Sequence, residues 1–277
     1  MKIFLLTTLA LIAFAFNSIL CRLALGGEAI DATGFTLIRL VSGAITLTFI
    51  SFVVNKKVEI ERGNWFSAFF LFGYAICFSF AYLKLTTATG ALILFGSVQL
   101  TMICAALIRG ERPNFLEWLG LFLAFSGLAY LVFPGLSAPP LGFSVLMISA
   151  GIAWGFYTLR GRGSENPLAD TTGNFIRTVP MILLFAAPFY SQIQLSTKGT
   201  ILAVLSGAIA SGIGYSVWYS VLKHHTATRA ATLQLAVPAI AAMGGVIFLA
   251  ESFTARLILS SGLILGGIGL AILGKRR

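Results

Sequence analysis

Charge is the first thing this sequence lacks. Only 10% of its 277 residues are charged and nine are acidic, against 58% that are hydrophobic. Soluble domains run about 25% charged and about 45–50% apolar. With so few polar side chains to cover its surface, an aqueous globular domain of this length is excluded. Lipid removes the difficulty, because apolar side chains can then face outward.

Cysteine is equally sparse. Cys21, Cys77 and Cys104 each fall inside an apolar stretch, with no CxxC or Cys/His cluster beside them. That argues against a zinc site or a disulfide framework and leaves cysteine as a small hydrophobe. No metal and no cofactor is expected. Also missing are a Gly-x-x-x-x-Gly-Lys-Ser/Thr loop, a Gly-x-Ser-x-Gly elbow, a His-Glu-x-x-His pair and an aspartate-rich diphosphate motif. Without these signatures neither ATP hydrolysis nor another enzymatic activity is expected. His224 and His225 adjoin each other at a span end and read as a solvated pair. The net charge of +10 suggests nucleic acid, but the basic residues sit singly or in twos and threes between apolar stretches. Such placement orients a membrane protein, so no nucleic-acid partner is expected and the bilayer is.

What is abundant is apolar sequence in runs of about 20 residues, the length that crosses about 30 Å of hydrocarbon. Ten runs are predicted as helices: Ile3–Leu25, Thr33–Val54, Trp65–Leu83, Thr87–Ile108, Phe115–Phe133, Leu141–Leu159, Thr172–Tyr190, Thr200–Leu222, Thr228–Ala250 and Ala255–Leu273. Met1 to Cys21 has the outline of a signal peptide. Bulky Leu20 before Cys21 and the length of the apolar run make it a retained first span instead. An even number of crossings with the N-terminus in the cytoplasm puts 13 basic residues on that side and 5 on the other. Both termini are therefore predicted to be cytoplasmic.

The chain also repeats itself. Arg22 and Arg39 return as Arg160 and Arg177 at an offset of 138, Gly73 and Lys84 as Gly212 and Lys223 at 139, and Glu111 as Glu251 at 140. Residues 1–136 and 137–277 are read as two copies of one unit. Five spans is an odd number, so the second copy must be inserted upside down. Inverted-topology repeats suit secondary transporters, in which one site faces either side in turn. The fold class expected is all-α transmembrane, ten helices in two five-helix inverted repeats.

With those features in place, the sequence resembles the drug/metabolite transporter superfamily, specifically chains with two EamA domains. The likeness rests on Arg39 early in the second span and on Leu107-Ile108-Arg109-Gly110-Glu111-Arg112 ending the fourth. In the second copy it rests on Ala153-Trp154-Gly155-Phe156, Pro238 and Phe248-Leu249-Ala250-Glu251. The first copy departs from the pattern, with Val98 where the counterpart of Pro238 belongs. Family members include exporters of amino acids and other small metabolites. The resemblance thus implies a small-molecule substrate, an alternating-access cavity and a bacterial inner-membrane location, as monomer or homodimer. Nucleosides or organic cations are alternative solutes, and a membrane-embedded lipid-modifying enzyme or a scaffold is the alternative class.

A solute site needs polar or aromatic groups at membrane depth. The candidates are Asn17, Tyr74, Ser79, Tyr82, Gln99, Trp154, Tyr157, Tyr215, Trp218, Tyr219 and Gln234. An amide facing lipid leaves its donors and acceptors unpaired, so Asn17, Gln99 and Gln234 must face a cavity or another helix. The aromatic groups, at i, i+3 or i, i+4 spacing, suit the wall of a cavity for amphipathic solutes. Trp65, Trp118 and Tyr190 sit at span ends and read as an interfacial belt. Arg39, Arg177, Glu111, Glu251 and Pro238 are assigned gating or structural roles. The arginines would anchor helix ends or meet a substrate carboxylate, the glutamates would pair with arginines, and the proline would bend its helix. All nine carboxylates lie at span ends or in loops. Proton-driven transporters usually bury a carboxylate mid-span, so gradient-following transport is favoured. Gly262, Gly266, Gly267 and Gly269 crowd the last span, where small residues let helices approach closely.

Overall fold

The computed structural model describes residues 2–56, 62–108, 110, 114–133, 135, 138–161, 164–222, 224 and 233–274. Glu111 and residues 225–232 therefore lie outside the described residues. The helices are α1 (Lys2–Leu25), α2 (Ala32–Asn55), α3 (Trp65–Ala81), α4 (Thr87–Ile108), α5 (Phe115–Val132), α6 (Leu141–Gly161) and α7 (Pro167–Ala186). A 3₁₀ turn (Ala187–Gln192) extends α7. Then come α8 (Thr197–Leu205), a π-helical segment (Ser206–Ile213) and α9 (Gly214–Leu222), which run on as one rod, followed by α10 (Ala236–Leu249) and α11 (Ala255–Gly274). Among the described residues seven rods are long and apolar enough to cross a bilayer, while Trp65–Ala81, Ala236–Leu249 and Ala255–Ala271 are shorter apolar helices. Large apolar side chains such as Phe49, Phe122 and Leu184 point outward, as lipid permits.

Caps explain where several rods begin. Asp31 accepts from the Gly34 N–H at 2.8 Å to open α2, and Asn64 accepts from the Ser67 N–H at 2.9 Å to open α3. Asn114 and Glu117 form a reciprocal capping box at α5. Asn166 followed by Pro167 starts α7 five residues before the predicted Thr172, because side-chain capping outranks apolar onset as a start signal. Ser196 likewise starts α8 at Thr197 rather than Thr200. The predicted ninth run begins at Thr228, outside the described residues; from Leu233 the chain is helical at Leu233 and Gln234, turns at Leu235 and continues as α10. Pro238 has no N–H to offer the Gln234 carbonyl, which accounts for a break at that point. The proline sits in the first turn of α10.

The packing has the symmetry of a duplicated chain. Replacing each rod by the one five places along exchanges α1 with α6, α2 with α7, α3 with the α8–α9 rod, α4 with α10, and α5 with α11. Under that exchange α1 against α8–α9 becomes α6 against α3, α1 against α10 becomes α6 against α4, and α2 against α8–α9 becomes α7 against α3. All six packings are observed, and α5 with α11, α2 with α7 and α4 with α10 pair across the two halves. At the α5–α11 crossing a side chain on Gly267 would come within 2.6 Å of the Gly120 carbonyl, so the two backbones touch. Gly262, Gly266 and Gly269 meet nothing within 4 Å.

Loop contacts fix the sense of each half. The segment after α1 docks on the segment before α8: the Gln194 N–H donates to Asp31 Oδ2 at 2.8 Å, and the Asp31 N–H to the Gln194 carbonyl at 3.3 Å. The corresponding contact joins the end of α6 and start of α7 to the segment before α3. There the Asn64 N–H donates to Asn174 Oδ1 at 2.9 Å and the Gly63 N–H to Asp170 Oδ1 at 3.2 Å. The first lies on the face away from the chain termini, here the distal face. The second lies on the face where α1 begins and α11 ends, here the terminal face. Equivalent loops occupy opposite faces, so the halves are inverted.

Candidate functional site

Between the halves, midway along the rods, lies a small chamber, with room for about one water molecule in this conformation, walled by Phe14, Asn17, Ser18, Tyr74, Phe78, Leu94, Phe95, Trp154 and Tyr215. Each half contributes, Trp154 and Tyr215 coming from the second and the rest from the first. Trp154 is the hub: its ring lies 4.8 Å from Tyr74, 5.0 Å from Tyr215 and 5.4 Å from Tyr157. Phe14 meets Tyr215 edge-on at 5.7 Å. On α3 and at its C-cap, Tyr74, Phe78 and Tyr82 follow each other four residues apart on one face, with centroids 5.3 and 4.8 Å apart. The result is an aromatic column from the distal end of α3, past the chamber, to Tyr157.

Asn17 and Tyr74 of the chamber wall belong to one polar network. Ser206 Oγ donates to Asn17 Oδ1 at 2.6 Å, and Asn17 Nδ2 donates to the Tyr74 hydroxyl at 3.2 Å. Arg39 Nη2 donates to the same hydroxyl at 3.1 Å, and Arg39 Nε to Ser211 Oγ at 3.4 Å. Ser206 and Ser211 both lie in the π-helical segment, and such segments often occur at functional sites. Arg39 itself is 2% exposed, stacked 5.2 Å from the Tyr74 centroid and 4.9 Å from that of Phe78.

A second small space opens toward the terminal face, bounded by Ser67, Tyr157, Gly161, Ser164, Pro167, Asp170, Thr171, Asn174 and Tyr219. Asn174 Nδ2 donates to the Tyr157 hydroxyl at 3.5 Å, and Ser164 Oγ donates to Asp170 Oδ2. Trp154 and Tyr157, neighbours on α6, stand between this vestibule and the chamber. On the distal side the Glu251 carboxylate accepts from the Thr87 N–H at 2.9 Å and pairs with Arg22 Nε at 3.8 Å. Arg22 Nη1 also donates to the carbonyls of Tyr82 and Leu83. Glu251, beginning the last segment of the second half, thus clamps the start of α4 and the end of α1 from the first.

Of the residues singled out in the sequence, Asn17, Tyr74, Trp154 and Tyr215 meet in the chamber, and Tyr157 and Tyr219 line the vestibule. Tyr82 is buried at the distal end of the column, with its hydroxyl 3.4 Å from the Thr87 carbonyl. Ser79 donates to the Ala75 carbonyl of its own helix, and Trp218 packs on Phe14 outside the chamber wall. Gln99 and Gln234 are buried in α4 and before α10 without lining either space. Arg177 Nη1 donates to the carbonyls of Arg62 and Gly173, a structural anchor at the terminal face. Trp65, Trp118 and Tyr190 are exposed at the rod ends, as an interfacial belt requires. Phe14, Ser18, Phe78, Leu94 and Phe95 went unpredicted, because an apolar or small residue in an apolar run gives no contrast. Asn174 was equally missed, although the amide argument that selected Asn17 applies to it.

The sequence profile of the EamA-like transporter family matches residues 1–133 and again 143–273. An uncharacterised Pseudomonas aeruginosa protein is 48% identical over 97% of this chain and 93% of its own. The Escherichia coli threonine/homoserine exporter RhtA is 28% identical over 85% of this chain and 80% of its own. An E. coli protein named as a probable amino-acid metabolite efflux pump is 23% identical over 82% and 81%. A solved crystal structure superposes with a TM-score of 0.67 over 97% of both chains at 18% identity, a likeness of fold. Two matches in tandem, on the two halves that the packing relates by inversion, make this chain a member of the EamA-like transporter family.

Proposed function

We propose that this protein exports small amphipathic metabolites, amino acids foremost, across a bacterial inner membrane by alternating access. The chamber between the halves carries the reading. It combines an amide, phenols and an indole in one space shared by both halves, the pairing of aromatic walls with a few placed polar groups that small-molecule sites use. Relatives named as an amino-acid metabolite efflux pump and a threonine/homoserine exporter favour the same solute class. Residues 1–136 and 137–277 are the two rocking units. Asn17, Tyr74, Trp154 and Tyr215 contact solute, and Tyr157 and Tyr219 line its path to the terminal face. That face is cytoplasmic, because basic residues gather on it. No carboxylate among the described residues is fully buried, so transport follows the solute gradient rather than a proton.

The test is uptake of a panel of labelled amino acids into liposomes containing the purified protein. Saturable uptake that falls at least about tenfold in Trp154→Ala at equal membrane abundance supports the reading, since burying an indole is worth more than 1.4 kcal/mol. Chemical turnover of a lipid would replace it with an enzyme.

A further inference from the structure

Four arginines stand out from this apolar sequence, and three of them are fully explained by protein acceptors. Arg22 meets Glu251 and two carbonyls, Arg160 meets Ser67 Oγ and Asn64 Oδ1, and Arg177 meets the carbonyls of Arg62 and Gly173. Arg39 is different. Its repeat mate is Arg177, yet Arg39 turns inward, is 2% exposed and pairs with no carboxylate among the described residues. Its Nη1 is buried without a hydrogen-bond partner. A buried guanidinium without a counter-charge is strongly unfavourable, and stacking on Tyr74 and Phe78 offsets only part of that cost.

Tyr74 and Phe78 are also chamber walls, so the charge lies directly behind the lining. The Tyr74 oxygen accepts from both Asn17 Nδ2 and Arg39 Nη2, and its hydroxyl also meets that of Tyr215 across the chamber. Arg39 Nη1 is thus left without an acceptor directly behind a chamber wall that offers no carboxylate. An anion is the missing partner, and a carboxylate matches a guanidinium edge in shape and charge.

We propose that Arg39 is the carboxylate anchor of the chamber, its Nη1 holding the acid group of a zwitterionic or anionic solute. This rests on the reading of the chamber as the solute site. The faces of Trp154 and Tyr215 take the remainder of the solute, an ammonium group or an apolar side chain, without any acidic residue. The solute class is thereby narrowed to small carboxylates, and amines or nucleosides lacking one are poor ligands.

The test uses the full-length protein in liposomes, with each amino acid that the wild type carries competed against its carboxamide, which keeps side chain and ammonium but loses the acid. The wild type is expected to prefer the acid by about tenfold or more, the effect of a hydrogen bond to a charged group. Arg39→Gln is expected to abolish that preference while still carrying the carboxamide, and Arg39→Lys, which keeps charge without the fork, to weaken it. An unchanged preference in Arg39→Gln overturns the proposal. If Arg39→Gln does not fold by size-exclusion profile, Arg39→Lys decides, and an unchanged preference there overturns it too. If the wild type carries no amino acid, melting of purified protein titrated with benzoate separates the two readings. Stabilisation lost in both variants keeps the anchor and removes amino acids as the solute. Absent stabilisation, or equal stabilisation in wild type and variants, overturns the anchor.

Discussion

At the scale of single residues, the Tyr74 hydroxyl joins the two polar groups that most need a partner. It accepts from Asn17 and from Arg39, both buried. Tyr74→Phe keeps the ring, and so the stacking on Trp154, but strips both donors of their acceptor. We expect a loss of about 1–3 kcal/mol per donor left unpaired, read as a lower melting temperature in detergent. A variant melting like the wild type would mean that Asn17 and Arg39 find other acceptors. These polar residues were largely legible in the sequence, since an amide, a phenol or a guanidinium inside an apolar run is conspicuous. Ser206 and Ser211 were not. Hydroxyls in membrane helices commonly bond to their own backbone, as Ser79 does here, and sequence does not distinguish those from the two that reach across to α1 and α2.

At the scale of elements, span lengths and their order were legible because about 20 apolar residues between charges leave little freedom. The π-helical register of Ser206–Ile213 was not, because a one-residue shift in hydrogen bonding leaves the apolar pattern intact. Start points were misread where the cap lies several residues ahead of the apolar run, as at Asn166 and Ser196, and read correctly where it adjoins the run, as at Asn64 and Asn114. The close crossing of α5 and α11 permits a sharp test. Gly120→Val would force a side chain into the backbone at Gly267 and Ala271, whereas Gly262→Ala adds a methyl where nothing lies within 4 Å. Gly120→Val is expected to reduce the amount of folded protein in the membrane severalfold and Gly262→Ala to leave it unchanged. Equal accumulation would show that the crossing tolerates separation. Glu251 belongs to this scale too, since its carboxylate ties α4 to α1 at the distal face. In a Ser18→Cys reporter with the three native cysteines replaced, Glu251→Gln is expected to speed distal-side thiol labelling. An unchanged rate would remove it as a latch.

At the scale of the molecule, the duplication was legible because charges are rare enough for Arg22/Arg39 and Arg160/Arg177 to register as a pair of pairs. What sequence did not disclose is that the two copies use equivalent arginines differently, Arg177 on backbone carbonyls and Arg39 beside the chamber. An inverted repeat supplies two similar frames, and function requires that they not be identical. The placement of acidic residues bears on energy coupling. Every described carboxylate retains some exposure, which favours the proposed gradient-following transport. Uptake into liposomes is therefore expected to be insensitive to an imposed pH gradient at fixed solute gradient. Solute accumulation driven by pH alone would require a proton site.

The central claim is that one chamber, enclosed by two inverted halves, is reached from each side in turn. The most direct measurement is labelling of the Ser18→Cys reporter by a membrane-impermeant thiol reagent, in spheroplasts and in inside-out vesicles, with and without transported solute. The account predicts labelling from both faces, with solute altering the two rates in opposite directions. Labelling from one face alone, or rates that rise and fall together, would contradict it.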